Sequence, residues 1–346
     1  MASVALYRLP GCDYFTRVHS ESAAIRLNTT EDIGDRQGFV FVPFSSNSRC
    51  PILLIVPDSV TTCPLPHYRN PSEGWHSLPS ATPPVDYIAD FNVFHEAIKE
   101  HRFEKLVLAY GIRCKCSTHG DLVERVFFHA CALYPELMVI LFHTEESGTW
   151  LIASPEVLLE RDNDLWHTVA IAGTIPYTDA PFWNSKNQDE QHIVSEFITE
   201  VITPFAHSIR TVGPKTISAG NLLHLRTDFY FSMPLRRMGA LLNALHPTPA
   251  VAGIPRAEAV SFILRHEHTD RKYYSGFSGP VNINGETHLY VSLRCAHIPS
   301  HNTTATLYAG GGLMPDSCLN EEWSEVCNKA QTINTVLQQC TANTNI

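Results

Sequence analysis

Several charged side chains in this sequence stand among apolar neighbours. In DEQHIVSEFITEV, Val194, Phe197 and Val201 recur at helical spacing, and Glu190, four residues before Val194, extends the same face. In NEEWSEVCNKAQTINTVL, the stripe through Val326, Ile333 and Val336 is joined by Glu322, Glu325 and Lys329. A carboxylate aimed at an interior is costly unless paired or bound to a cation. Three from two helices suit a hard metal, Mg²⁺ above all, which takes one or two carboxylates and fills its other positions with water and substrate. Helix ends emerging into solvent, with Glu322 and Glu325 favoured by a helix N-terminus, are the open alternative.

Lys105 precedes the apolar run Leu106-Val107-Leu108-Ala109, where a lysine ordinarily starts a strand and reaches solvent. Arg294 lies inside HLYVSLRCAHI: Leu289, Val291, Leu293 and Cys295 line one face, Tyr290, Ser292 and Arg294 the other. That second face is either solvent or the wall of a polar cavity. In YAGGGL, Gly310, Gly311 and Gly312 follow a strand. Such a run is either a turn or a cradle whose N–H groups meet an anion, and no nucleotide-binding pattern accompanies it.

The elements that must position these groups are legible in outline. GFVFVPF and CPILLIVPD read as strands. Residues 57–84 carry seven prolines (Pro57, Pro64, Pro66, Pro71, Pro79, Pro83, Pro84) and read as a loop or crossing strap. Ile88, Phe91, Phe94 and Ile98 then share one helical face. KLVLAYGIRC is a strand, VERVFFHACALY a helix, and MVILFH, WLIASPEVLLE and HTVAIAG are strands. Further strands such as HLYVSLRCAHI and helices near 190–208 and 321–338 complete the chain. Long strands interrupted by single helices predict an α+β fold with large, mainly antiparallel sheets.

The 346 residues, 44% hydrophobic and 17% charged, suffice for one large unit or two domains and exclude a mainly disordered chain. No run approaches the ~20 apolar residues of a membrane span. MASVALYRLPGCDYF lacks a signal-peptide layout, so a cytoplasmic protein is expected. A net charge of −10 disfavours a general nucleic-acid partner, though not an anionic small molecule at a locally basic site. The ten cysteines are scattered; Cys114 and Cys116 form a lone C-x-C without the second pair a structural zinc needs. The eighteen histidines are dispersed, with no evident metal cluster.

Taken in order, FEKLVLAY, LIASPEVLL, IAGT, KNQDEQHIV, NLLHL, ALHPTPAVAGIP, RKYYSGFSGPV, VSLRCA, LYAGGGL and EEWSEVCNKA resemble the chorismate-utilising enzymes, which include the anthranilate, aminodeoxychorismate, isochorismate and salicylate synthases. The likeness spans about residues 85–340, the expected catalytic region. Residues 1–84 match no motif and are expected to be a variable N-terminal part of the same fold. The resemblance implies a two-sheet antiparallel α/β sandwich of the anthranilate synthase component I type, enclosing the substrate, chorismate.

By the same resemblance, Glu190, Glu322 and Glu325 would hold Mg²⁺, which neutralises the ring carboxylate. Tyr274, Arg294 and the backbone at Gly310, Gly311 and Gly312 would hold the enolpyruvyl carboxylate, for which a planar guanidinium is suited. Lys329 would sit beside the ring carboxylate, Gly173 and Thr174 would line the pocket there, and His224 would lie near the ring. A core histidine bonded to backbone is the alternative at His224.

Three features discriminate among members. Lys105 matches the lysine that activates water in isochorismate and salicylate synthases. Ala172, in IAGT, stands where aminodeoxychorismate synthases typically carry a nucleophilic lysine, and no amidotransferase segment is present. The implied reaction is isochorismate synthesis. Lys105 takes a proton from water attacking ring C2, and Glu156, in SPE, protonates the departing C4 hydroxyl. The two must hold opposite protonation states near neutrality. Salicylate synthase, which goes on to eliminate pyruvate, is the alternative, and a binding relative without turnover is another. Menaquinone synthesis is the expected destination, a catechol siderophore the alternative, and the expected state is a monomer. The chain departs from the family pattern at Asn187, Gln191 and Ile175, where acidic, histidine and arginine residues are frequent. A less negative outer shell at Asn187 is expected to weaken Mg²⁺ binding.

Overall fold

The computed structural model describes residues 2–66, 82–115, 122–178, 180–219, 222–299 and 304–342. Its first strands are β1 (Ser3–Arg8), β2 (Tyr14–Ser20), β3 (Ile25–Leu27), β4 (Gly38–Val42), β5 (Ile52–Ile55) and β6 (Ser59–Pro64). Helix α1 (Val85–Lys99), β7 (Lys105–Lys115), α2 (Leu122–Leu133), β8 (Met138–Thr144), β9 (Gly148–Ser154), β10 (Val157–Asp162) and β11 (Leu165–Pro176) follow. Next come α3 (Ser185–Ile202), β12 (Ile209–Ala219), β13 (Leu222–Ser232), α4 (Met238–Leu245), β14 (Gly253–Ile254) and α5 (Arg256–His266). The chain ends with β15 (Phe277–Val281), β16 (Thr287–Val291), β17 (Cys295–Ile298), β18 (Thr304–Leu313) and α6 (Leu319–Ala342).

The strands form two nine-stranded sheets. The first runs β14-β7-β18-β17-β9-β8-β1-β2-β6 and the second β12-β13-β11-β10-β16-β15-β4-β5-β3. Each named pairing between neighbouring strands is antiparallel, as expected. Phe39, Phe41, Phe142, Trp150, Val169 and Tyr290 belong to a core cluster drawn from both sheets. Helices α2 and α6 cover the outer face of the first sheet, with Phe127, Ile333 and Val336 against Leu141, Leu151 and Leu307. Helices α3 and α4 cover the second, with Ile198, Ile202 and Leu242 against Trp166, Phe229 and Leu289. Both helix layers therefore face outward, leaving the space between the sheets for the interior.

The proline-rich segment is partly strand: Ser59–Pro64 pairs with β2, and residues 67–81 lie outside the described residues, as does Cys116. Cys12, Cys50, Cys63, Cys131, Cys295, Cys318 and Cys327 are free thiols. No helix among the described residues is long and apolar enough to cross a membrane.

Helix α3 starts earlier than expected, where the Asn184 side chain accepts a hydrogen bond from Asn187 N, and it ends at Ile202. Its buried line is Asn187, Gln191, Val194, Ile198 and Ile202, so Phe197 and Val201 flank the core and Glu190 stands at the edge of the buried face. Gln191 fixes the helix to the sheet: Ala172 N donates to its Oε1 (2.7 Å), and its Nε2 donates to Ala170 O (3.0 Å). That seam determines where Glu190 points.

Candidate active site

Two chain segments pass from one sheet to the other side by side. Strand β9 ends at Ser154 in the first sheet and β10 begins at Val157 in the second, while β16 ends in the second and β17 begins in the first. Strand β9 pairs with β17 and β10 with β16, so the crossings are neighbours. WLIASPEVLLE and HLYVSLRCAHI, each read as one strand, are therefore two strands apiece. Glu156 and Arg294 occupy the two breaks. Val291 N donates to Glu156 O (2.9 Å) and Ala153 N donates to Arg294 O (3.2 Å). Arg294 has φ 46, a left-handed conformation that costs a non-glycine residue on the order of 1–3 kcal/mol and is held here by the crossing.

Between the sheets, beside these crossings, lies a cavity. Glu156, Gly173, Thr174, Glu190, His224, Tyr274, Arg294, Gly310, Gly311, Gly312 and Lys329 all line it, with apolar wall from Val107, Ile171, Ala250, Val251 and Leu293. An outer cavity adjoins it and shares Thr174, Glu190 and Gly312; Lys186, Asn187, Glu322 and Glu325 line that one. Every residue to which the resemblance gives a catalytic, substrate-binding or metal-binding role, except Lys105, thus lines one cavity or the other.

Lys105 does not reach solvent. It is 0% exposed, and its Nζ lies 2.7 Å from Glu190 Oε1. Strand β14 clamps this end of β7, with Ile254 opposite Lys105 and Gly253 opposite Leu106. A Cβ at Gly253 would stand 2.3 Å from Lys105 O, so only glycine permits the approach. Arg271 supports the same wall: its guanidinium donates to Val107 O (2.7 Å) and Val251 O (2.8 Å) and pairs with Glu267.

The three glycines are neither a turn nor a loop. They lie within β18, with Gly310 opposite Ala109, Gly311 opposite Leu108 and Gly312 opposite Val107. Their missing side chains make the room that the charged groups use. A Cβ on Gly312 would meet Glu190 Oε1 at 2.4 Å and Lys105 Cε at 2.7 Å. One on Gly311 would meet Glu322 Oε2 at 3.2 Å and Glu325 Oε1 at 3.4 Å, and one on Gly310 the Tyr274 hydroxyl at 3.0 Å.

Each expected metal carboxylate is paired with a lysine, all at 2.7 Å: Glu190 with Lys105, Glu322 with Lys186 and Glu325 with Lys329. As these side chains lie, no three His, Cys, Asp or Glu among the described residues form a group that could hold an ion. The donor set nevertheless fits a divalent cation. Glu322 is 2% exposed; Ser317 Oγ donates to its Oε1 (2.6 Å), while its Oε2 is buried without a hydrogen-bond partner. Glu322 Oε2 and Glu325 Oε1 both face the space before Gly311, and two carboxylates are what Mg²⁺ asks of a protein. Burial and then the neighbouring Glu325 push the Glu322 carboxyl upward, against the pull of Lys186 and Ser317. For Glu190, burial pushes upward, but Lys105, Lys329 and Lys186 outweigh it and hold the group below its usual range.

Opposite chemistry holds at Glu156. It is 5% exposed, and burial raises its pKa to about 7 against the pull of Lys105 and Lys329. His224 is bonded on both sides. Arg294 Nη2 donates to its Nε2 (3.0 Å), which leaves the proton on Nδ1, facing Gly173 O at 3.2 Å and Thr174 Oγ1 at 3.3 Å. Burial, then Arg294 and Lys329, depress its pKa well below the ordinary value, so the ring is neutral. The backbone-bonded alternative at His224 and the cavity role therefore hold together. Gly173 (φ 67) sits where the β11–β13 register shifts, and its N–H donates to Glu190 Oε2 (3.1 Å). Burial lowers the Arg294 guanidinium to about 10 and raises the Tyr274 phenol. Lys329 Nζ also donates to Gly310 O (3.0 Å).

Lys186, one turn before Glu190, carries no apolar neighbour pattern, and its pairing with Glu322 escaped the sequence. So did Ser317, five residues before Glu322, and the Glu267–Arg271 pair, whose bonds to Ala109 N and Val107 O join it to a strand more than 150 residues away.

A family model described as chorismate binding enzyme matches residues 67–338. Isochorismate synthase MenF of Escherichia coli (strain K12) is 33% identical over 201 residues, 55% of this chain and 46% of that protein. The salicylate biosynthesis isochorismate synthase of Pseudomonas aeruginosa (strain PAO1) is 29% identical over 70% of this chain and 52% of its own length. The chain thus spans about half the length of these curated relatives. The solved structure of MenF, the menaquinone-specific isochorismate synthase from Escherichia coli, superposes with a TM-score of 0.78 at 21% identity, covering 97% of this chain and 89% of that one; this establishes the fold. With the family model matched over most of its length, the chain belongs to the chorismate-binding enzymes.

Proposed function

We propose that this chain is an isochorismate synthase, a Mg²⁺-dependent isomerase that adds water at C2 of chorismate and expels the C4 hydroxyl. Glu156 carries the reading: a carboxyl buried at a sheet crossing and raised to about 7 holds a proton near neutrality, as a general acid must. The relatives' names agree with that chemistry.

Arg294 and Tyr274 hold the enolpyruvyl carboxylate against the glycine backbone of β18, the guanidinium being kept in place by neutral His224. Lys329 and the Gly173–Thr174 bulge meet the ring carboxylate. Glu190, Glu322 and Glu325 would hold the cation, which supplies positive charge to the ring carboxylate. Lys105, once parted from Glu190 and having released its ammonium proton to solvent, accepts a proton from water as the water oxygen attacks C2. The ring double bond shifts, and Glu156 gives its proton to the departing C4 hydroxyl. Proton exchange with solvent then resets both groups. Menaquinone synthesis is the proposed destination, on the strength of the menaquinone-specific relative.

Purified protein incubated with chorismate and Mg²⁺, with products resolved by chromatography, tests the reading. Isochorismate as the product is expected. Salicylate with pyruvate would make the chain a salicylate synthase, and unchanged chorismate would make it a binding protein.

A further inference from the structure

Lys105 and Lys329 have work to do in the proposed reaction, and Lys329 has a second tie. Gly312 gives Lys105 its space, and Lys329 also bonds Gly310 O. Lys186 differs. It reaches from α3 across the outer cavity to Glu322 on α6, and its ammonium lies 2.7 Å from Glu322 Oε1. The other oxygen of that carboxylate, Oε2, is buried, without a hydrogen-bond partner, and turned toward the Gly311 space with Glu325 Oε1.

We infer that Lys186 is a resident counter-charge that lowers the affinity of the Glu322–Glu325 pair for a divalent cation, an inference resting on the cation reading above. A cation on Glu322 Oε2 lies a few ångströms from the ammonium on Oε1. At such separations in a partly enclosed site, like charges repel strongly. An incoming ion must therefore either accept that repulsion or separate Lys186 from Glu322. The lysine thereby neutralises the carboxylate while the site awaits its ion. Ser317 makes the effect separable from simple loss of alignment. Its hydroxyl donates to the same Oε1 (2.6 Å) and accepts from Met314 N (3.0 Å), so Glu322 keeps an anchor when the lysine is gone.

Isothermal titration of the full chain with Mg²⁺ alone, without substrate, at pH 8, tests this. Lys186→Gln and Lys186→Met are expected to bind Mg²⁺ about tenfold or more tightly than the parent chain, and Lys186→Arg to match it. Circular dichroism checks that each variant is folded. Binding by the parent with no gain in either neutral variant overturns the inference alone. No Mg²⁺ binding in any of the four proteins overturns it together with the cation reading.

Discussion

Lys105 and Glu190 meet at 2.7 Å in the interior only because residue 312 has no side chain. A methyl group there would collide with both partners. Gly312→Ala is therefore expected to destabilise the chain by roughly 1–3 kcal/mol through overpacking. Displacing the pair should also lower turnover by about 10²-fold, the usual consequence of shifting reacting groups by an ångström. Urea denaturation and steady-state rates on one preparation check both; parental kinetics would dissociate the ion pair from the reaction.

Glu156→Gln should lose about 10²–10⁴-fold in kcat, the range for removing a general acid. The pH dependence gives the finer test. An acid that must be protonated works below its pKa, so activity of the parent falls as pH rises through about 7. That limb should vanish from the residual activity of the Gln variant.

Lys105→Ala should abolish hydration, by roughly 10²–10⁴-fold or more, with a native circular dichroism spectrum. Turnover close to that of the parent would remove Lys105 as the base.

The inner face of the second sheet carries a polar row away from the cavity. Glu160 accepts from His167 (3.1 Å), His288 (3.2 Å) and Tyr290 (2.8 Å), and His167 meets Asp228 at 2.9 Å. Burial alone would lower both histidines, but Asp228 and Glu160 raise His167, and Glu160 and Glu286 raise His288. Their contribution to stability is therefore complete below the unfolded value of 6.5 and is lost as pH rises through the higher folded values. Burial would raise Glu160, but His167 and His288 bring it to about 2, so its share is present above 4.5 and lost as pH falls toward 2. Urea midpoints should decline from pH 6 to pH 9 more steeply in the parent than in His167→Gln.

Much of the site was legible because its charges interrupt apolar periodicity: Glu190, Glu322, Glu325 and Lys329 break helical stripes, and each borders a cavity. Lys105 was ambiguous by pattern alone, since a strand-initial lysine gives no sign of its direction; the family likeness implied its role, and the structure shows only that it is buried. The two sheet crossings were invisible, because alternation in WLIASPEVLLE and HLYVSLRCAHI continues through a residue that changes sheets. Lys186 was missed because the pattern around it marks only an exposed helix start, while Glu322 lies 136 residues further on. Strands β1 and β2 gave little warning because polar residues such as Arg8, Thr16, Arg17 and His19 interrupt their apolar run, and the edge strand β6 lies in a proline-rich stretch.

The paired crossings also bear on motion. Any hinge opening of the two sheets must bend the ribbon at the peptides that carry Glu156 and Arg294, which are laced together by backbone bonds. Glu156 and Arg294, the proposed proton donor and carboxylate clamp, then travel as one rigid piece. Breathing of the sandwich would thus widen the path to the cavity before it altered the spacing between the two.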